Sequence, residues 1–317
     1  MTIPIRHLTF HCRWTSEARL PDYLGSTLRG AFGWALKRST CMLKREKCPT
    51  CILNTACPYA VLFATERYGT AEQGNAVNAR PHPLVFQPNP VGVGTGQEEE
   101  HWHFPLLVIG DADQFLPHIV YSVRMMGEAG IGVGAKHGWG RFSLESVLAD
   151  DVNVFDAASG RMATTLMARP LALGEAKEDV RRLGVHLLTP LRLKQENRLQ
   201  TELPFHVLVR AVLRRISALE SAYGQGEPDL DYRGLVRRAE EVRLEESTLR
   251  WQDLLRYSNR QQQKVSLSGL TGSAVYAGDL GEFVPLLDYA RQVHIGKQTL
   301  FGLGRVAIDT AEPPQTK

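Results

Sequence analysis

The chain has 317 residues, of which 43% are hydrophobic and 22% charged, and its 37 Lys and Arg against 34 Asp and Glu leave a formal net charge of +3. This balance excludes a disordered or collagen-like chain, and no apolar run reaches the ~18 residues that span a bilayer. Met1 to Arg6 lack the apolar core of a signal peptide, so a cytoplasmic protein of two domains with no membrane partner is expected.

From Ile3 to Trp14 the side chains alternate, with Leu8, Phe10, Cys12 and Trp14 on one face and His7, Thr9, His11 and Arg13 on the other. That period predicts a strand with one polar face and places Cys12 in the core. Pro21 to Arg38 reads as a helix that buries Leu24, Leu28, Ala31, Phe32, Ala35 and Leu36. Four of the five cysteines follow as Cys41-x6-Cys48-x2-Cys51-x5-Cys57. The Cys-x2-Cys knuckle and its two flanking thiolates make a tetrahedral set for structural zinc, and an iron-sulfur cluster, which uses the same ligands, stays open. A short strand over Leu84 to Gln87, a glycine- and acid-rich hairpin loop from Val91 to His101, and a strand from Trp102 to Ile109 come next. A helix from Asp113 to Gly127, a glycine loop from Gly130 to Gly140 and a strand from Arg141 to Val147 complete the series.

A connector over 151–184 precedes a second series. It comprises a strand from Val185 to Leu193, a helix from Phe205 to Ala222, an extra helix from Asp231 to Glu245, and a strand pair or bent strand from Val265 to Tyr276. A helix from Glu282 to Arg291, a glycine loop from Gly296 to Gly304 and a strand from Arg305 to Ile308 follow. The two series repeat one pattern. Gly110-Asp111, Phe115, Pro117 and Tyr121 return 168 residues later as Gly278-Asp279, Phe283, Pro285 and Tyr289, and Gly138-x-Gly140-Arg141 returns 164 residues later as Gly302-x-Gly304-Arg305. The expectation is an α+β protein of tandem ferredoxin-like (βαββαβ, RRM-like) domains. Residues 1–150 form the first, with a four-cysteine metal-binding insertion at 41–57, and residues 185–317 the second, with a glycine-rich loop at 296–304. A glycine loop ending in Arg presents backbone N–H groups beside a fixed cation, a combination suited to phosphate.

The segment Leu28-Arg-Gly-Ala-Phe-Gly-Trp-Ala-Leu-Lys37 before the cysteines, then Thr189-Pro-Leu-Arg-Leu-Lys194, Arg256-Tyr-Ser-Asn-Arg260 and the run from His294 to Gly304, resembles the RAMP superfamily of CRISPR-associated RNA-binding proteins. Within it, the same segments resemble the endoribonuclease that cuts precursor CRISPR RNA into single guides. The resemblance implies cleavage that needs no metal. The 2'-hydroxyl beside the scissile bond attacks its own phosphate and leaves a 2',3'-cyclic phosphate and a 5'-hydroxyl. A base, a cation for the phosphorane and an acid are then required. Related enzymes commonly draw a His from the loop after the first strand or from the first helix, and Trp14 to Arg38 contains none. The catalytic candidates are therefore His11, Tyr23, Arg29, Lys37 and His137. For holding RNA the candidates are Gly302, Gly304, Arg305 and Lys297, together with His294 as a base-stacking or structural residue. Arg256, Arg260 and Lys264 in a polar stretch, Arg192 and Lys194 on a strand, and Arg210 and Arg214 on one helix face join them.

The implied partners are CRISPR repeat RNA or guide RNA and other CRISPR effector subunits. A RAMP subunit that coats guide RNA without cutting is the alternative, and a zinc-ribbon DNA-binding adaptor a third reading. No Ser/His/Asp pattern, Walker loop or paired-carboxylate motif supports a hydrolase or NTPase.

Overall fold

The computed structural model describes residues 2–65, 80–88, 94–163, 168–195, 198–258 and 263–310. Pro4–Pro170 form one compact unit, and Leu171–Lys317 with Met1–Ile3 form the other. Among the described residues no helix is long and apolar enough to cross a membrane.

In the first unit β1 (Ile3–Trp14), α1 (Gly25–Thr40), the short α2 (Pro58–Leu62), β2 (Leu84–Phe86), β3 (His101–Ile109), α3 (Leu116–Ala129) and β4 (Phe142–Ala149) follow in order. The sheet runs β2-β3-β1-β4 with antiparallel pairing throughout, the strand order of a βαββαβ unit. The pleat sorts the side chains as the alternation requires. Phe10 lies opposite Phe104 with rings 5.0 Å apart, and Trp14 stacks on Trp102 at 4.5 Å, all on the core side. Each such buried ring contributes about 1.5–3 kcal/mol relative to exposure. Cys12 is buried among them and its thiol is pushed up by desolvation, so it is a core residue.

Helix α1 starts at Gly25 rather than Pro21, since Tyr23 and Leu24 turn into the core ahead of the first helical turn. It ends where the hydroxyls of Ser39 and Thr40 donate to the Leu36 carbonyl and Cys41 becomes extended. The span 151–184 is not a plain connector, because β5 (Val152–Asp156) and β6 (Arg161–Met162) extend the first sheet beyond β4. The hairpin between them turns where Asp156 accepts the Ser159 N–H at 2.8 Å.

The second unit contains β7 (Arg182–Leu191), α4 (Phe205–Tyr223), α5 (Tyr232–Ala239), β8 (Arg243–Ser247), β9 (Arg250–Gln252), β10 (Leu255–Ser258), β11 (Gln263–Ser266), β12 (Gly269–Ala277), α6 (Val284–Val293) and β13 (Val306–Thr310). Its sheet runs β8-β12-β7-β13, again antiparallel, with β9 also pairing β12. The extra helix expected to reach Glu245 stops at Ala239, and residues 243–247 pair with β12 instead. Sheet pairing overrides the helical propensity of that Arg- and Glu-rich stretch. The polar stretch around Arg256 is a two-stranded hairpin of β10 and β11, and Arg260 lies outside the described residues. Phe205, Tyr276 and Phe283 pack with centroids 4.9 and 5.1 Å apart, and the Tyr276 hydroxyl donates to the Leu203 carbonyl at 2.7 Å.

The repeated Phe and Pro have a common purpose. Pro117 and Pro285 sit in the first turns of α3 and α6, where a missing N–H costs nothing, and a short 3-10 segment ending in Phe115 or Phe283 feeds each helix. The repeated Tyr diverges, because Tyr121 is exposed while Tyr289 is fully buried with its hydroxyl on Glu220 at 3.2 Å.

Candidate functional site

Each unit closes its βαββαβ unit with a glycine loop between its last helix and last strand, and the two loops share one backbone. In the first, Ile131 N–H donates to Gly140 O (2.9 Å), Val133 N–H to Arg19 O (2.8 Å), Gly140 N–H to Glu17 O (2.8 Å) and Gly138 N–H to Ala135 O (3.0 Å). In the second, Ile295 donates to Gly304 (3.0 Å), Lys297 to Arg192 (2.9 Å), Gly304 to Pro190 (3.1 Å) and Gly302 to Thr299 (2.7 Å). The arginine that ends each loop is also tied alike. Arg141 N–H donates to Ser16 Oγ and Arg305 N–H to Thr189 Oγ1, both at 2.9 Å.

Glycine is required at Gly140 and Gly304. Their φ angles are +65° and +72°, and a Cβ at either would overlap the carbonyl oxygen of Ile131 or Ile295. The clasp corrects one expectation. The amides of Ile295, Lys297, Phe301, Gly302, Gly304 and Arg305 are bonded within the fold. The loop therefore acts as a rigid mount for cationic side chains rather than as a nest of bare N–H groups.

Around the second loop the cations gather. The Arg256 guanidinium covers the Phe301 ring at 4.8 Å, bringing the β10–β11 hairpin onto the loop. Arg192 donates to the Ser268 carbonyl and to Ser266 Oγ, and burial lowers the proton affinity of both Arg192 and Arg256. Lys297 and Arg305 belong to the loop itself, Lys194 is exposed two residues past Arg192, and Lys264 is exposed on β11 opposite Tyr257. On α4, Arg214 is exposed and Arg210 half-buried. Their neighbour Arg215 is buried and donates to the carbonyls of Val293 and His294 at 2.9 and 3.1 Å, pulled down to about 10 by desolvation.

His294 is fully buried, which corrects its candidacy for base stacking. It takes φ +57° where the first loop has Gly130, and its Nδ1 lies 3.2 Å from Leu303 O. It couples the end of α6 to the loop and to Arg215.

Around the first loop stand Arg19, whose guanidinium lies 4.2 Å over the Trp139 ring, with Lys136, His137 and Arg141 exposed. Of the catalytic candidates, His137 alone belongs to this group. Arg29 lies over the Phe63 ring at 4.1 Å, and Lys37 lies 5.6 Å from the Tyr59 ring, so both sit on the side of α1 that meets α2. Tyr23 is buried and desolvation pushes its phenol up, which removes it as an acid or base near neutral pH. His11 is on the polar face of β1, 5.8 Å from the His103 ring.

Sequence reasoning missed Arg19 and Lys136 and named Arg141 only as the end of the first glycine loop. Arg141 was legible as the twin of Arg305, whereas Arg19 becomes the counterpart of Arg192 only through the shared bond from the loop. Also missed is His186, held between Asp309 (Nε2 to Oδ2, 2.5 Å) and Ser273 (Nδ1 to Oγ, 2.8 Å) on three adjacent strands. The strand amides beside it are paired, so this contact orients the ring without an oxyanion site for acyl transfer.

The cysteines Cys41, Cys48, Cys51 and Cys57 are free and half-exposed. The Cys48 thiol is raised first by burial and is also influenced by Lys37, Cys41, Cys57 and Cys51, which places the four sulfurs in one neighbourhood. Among the described residues no three or more His, Cys, Asp or Glu side chains converge at ion-holding geometry.

Comparison with known proteins gives two family matches. The AF_1859_N family, an N-terminal domain, matches residues 3–166, and the CRISPR-associated endoribonuclease Cas6 family matches residues 185–306. An uncharacterized protein of Archaeoglobus fulgidus is 28% identical over 300 residues, covering 91% of this chain and 92% of its own. A solved Cas6 product complex is similar at a TM-score of 0.57 and 15% identity, covering 97% of this chain and 100% of that one. Cas6 of Thermus thermophilus is similar at 0.54 and 14%, covering 97% and 99%. These two likenesses are of fold.

Two outcomes test the loop. Gly304→Ala is expected to lower the urea midpoint by an amount equal to about 2 kcal/mol or more, strain and overlap combined, whereas Gly160→Ala, at φ +65° with nothing within 4 Å of a new Cβ, costs about 1 kcal/mol. Equal midpoints for the two variants would refute the clasp. The second outcome concerns acid. Burial pulls the His294 imidazole down to about 3, so the native state keeps it neutral while an unfolded chain binds a proton below about 6.5. Its contribution is complete above that pH and is lost as pH falls toward 3, at up to about 1.4 kcal/mol per pH unit. Urea titrations from pH 7 to 4 should show this limb in the parent and a shallower one in His294→Gly, since glycine takes the same backbone conformation at the equivalent position 130.

Proposed function

The chain belongs to the AF_1859_N family through its first half and to the CRISPR-associated RAMP-type endoribonucleases, and from that membership we propose that it binds CRISPR repeat RNA and cleaves it into guide RNA. The reaction is a transesterification. The 2'-oxygen attacks the adjacent phosphorus as a base takes its proton, and the 5'-oxygen leaves with a proton from an acid, giving a 2',3'-cyclic phosphate and a 5'-hydroxyl.

The observation that carries this reading is the paired glycine clasp, each ending in an arginine and bonded through its backbone to a second arginine, Arg19 or Arg192. In this assignment the second loop holds RNA through Arg192, Arg256, Lys297 and Arg305, with Lys194 and Lys264 adding charge. Arg192 and Arg256 are already partly desolvated, so each attracts a phosphate more strongly than a fully hydrated cation would. Arg210 and Arg214 meet a stem. At the first loop His137 is the acid-base group, and Arg19 and Arg141 face the charge that develops on phosphorus. Lys37 and Arg29 are supporting cations on α1. None of these steps requires a metal.

Cys41, Cys48, Cys51 and Cys57 fit a four-thiolate structural ion by donor chemistry and by their shared neighbourhood. A bound zinc would tie the turns between α1 and α2 together. Cleavage does not pass through it.

Purified protein is expected to cut a repeat RNA in EDTA, and a 2'-deoxy substitution at the cut position should abolish cutting. His137→Ala should slow cleavage about 10²–10⁴-fold with binding retained, and Arg305→Ala should weaken binding about tenfold or more and lower the salt slope by about one. Tight binding with no cutting in either EDTA or Mg²⁺ would instead make the chain a guide-coating subunit. Metal analysis of the purified protein should find about one zinc per chain, lost in Cys48→Ser together with several degrees of melting temperature. A metal-free parent with the same melting temperature would rule the zinc site out.

A further inference from the structure

The polar face of the first unit's sheet is left without a role by the loop chemistry. It carries His7, Thr9, His11 and Arg13 on β1 and His101 and His103 on β3, so four of the ten histidines share one sheet face. The pleat forces this placement, because the neighbouring residues Phe10, Trp14, Trp102 and Phe104 are committed to the core by their stacked rings. β1 and β3 are the two middle strands of β2-β3-β1-β4, and His11 stands directly opposite His103. Their rings lie 5.8 Å apart at an interplanar angle of 30°, with His103 exposed and His11 half-exposed.

We propose that this imidazole pair is a stacking platform for unpaired nucleobases of RNA. On four-stranded sheets of this topology, flat rings on the two middle strands offer the π-face on which a base can lie, and an imidazole serves as well as a phenyl ring. The charges on the same face argue for stacking over phosphate attraction. Arg13 pairs with Glu99 and with Glu145 (3.1 Å), and His101 Nδ1 lies 3.0 Å from the other Glu145 oxygen. Arg13 on β1 is thus offset by two carboxylates, which weakens its pull on a phosphate.

The platform suits a single-stranded stretch of the RNA, whose splayed bases reach a flat surface that a paired stem cannot offer. This inference rests on the RNA-binding reading and adds to it a recognition surface remote in sequence from the second loop.

The test uses the full chain and two fluorescein-labelled RNAs of equal length, an unstructured oligouridine and a stable hairpin, followed by fluorescence anisotropy at several salt concentrations. His103→Ala is expected to weaken oligouridine binding about 5- to 100-fold, the range for loss of one stacked base. His103→Phe should restore binding to within about threefold while leaving hairpin binding and the salt slope as in the parent. His103 is exposed, so both variants should keep the core intact and give circular dichroism spectra that match the parent. Unchanged oligouridine binding by His103→Ala, or a loss that Phe does not restore and that changes the salt slope, overturns the platform while the RNA reading stands. Failure of the parent protein to bind either RNA sinks the RNA reading itself.

Discussion

A close approach between one glycine and one carbonyl governs the site. Gly304 donates its N–H to Pro190 and accepts the N–H of Ile295, and its α-carbon lies so near the Ile295 carbonyl that no side chain fits. The next residue, Arg305, is then delivered at a fixed point on the edge of the sheet, where its N–H meets Thr189 Oγ1 just before β13 begins at Val306. Gly140, Ile131, Ser16 and Arg141 repeat the arrangement in the first unit. An arginine anchored through its own backbone loses less freedom when it meets an anion than one on a loose loop, which is the physical value of a rigid mount.

The two mounts share a backbone but not an environment. Arg19 lies in the open on the Trp139 face, whereas its counterpart Arg192 is drawn inward by the Ser268 carbonyl. Position 301 holds Phe, which Arg256 covers, where position 137 in the first loop holds an exposed His. Gly130 of the first loop is replaced by His294, which ties the second loop to the buried Arg215 through carbonyl contacts. The second loop is therefore the more desolvated of the two, and the first carries an exposed imidazole.

The sheets add a parallel difference on their polar faces. Arg13 with Glu145 and His186 with Asp309 occupy like positions, a nitrogen donor on the first strand facing an acid on the last. In the first unit two further rings, His11 and His103, extend that face along the middle strands, whereas His186 stands beside Ser273 and Asp309.

Much of this was legible in the amino-acid order. Alternation over Ile3 to Trp14 set both faces of β1, and the doubled Gly-x-Gly-Arg with its upstream Phe, Pro and Tyr disclosed the duplication, because period and backbone conformation are local properties. Charge alone also singled out Arg256 and Arg305. What chain order left undecided depends on contacts between distant residues. The fate of 243–247 as strand rather than helix was decided by the free edge of β12, and burial of Tyr23 and His294 by the helices and loops that close over them. Arg19 joined the first loop through a bond to Val133, more than a hundred residues away. Propensity and spacing act within a few residues, whereas desolvation and pairing act through space, so the sequence settled most of the elements and the tertiary structure settled the strand at 243–247 and which side chains are buried or exposed.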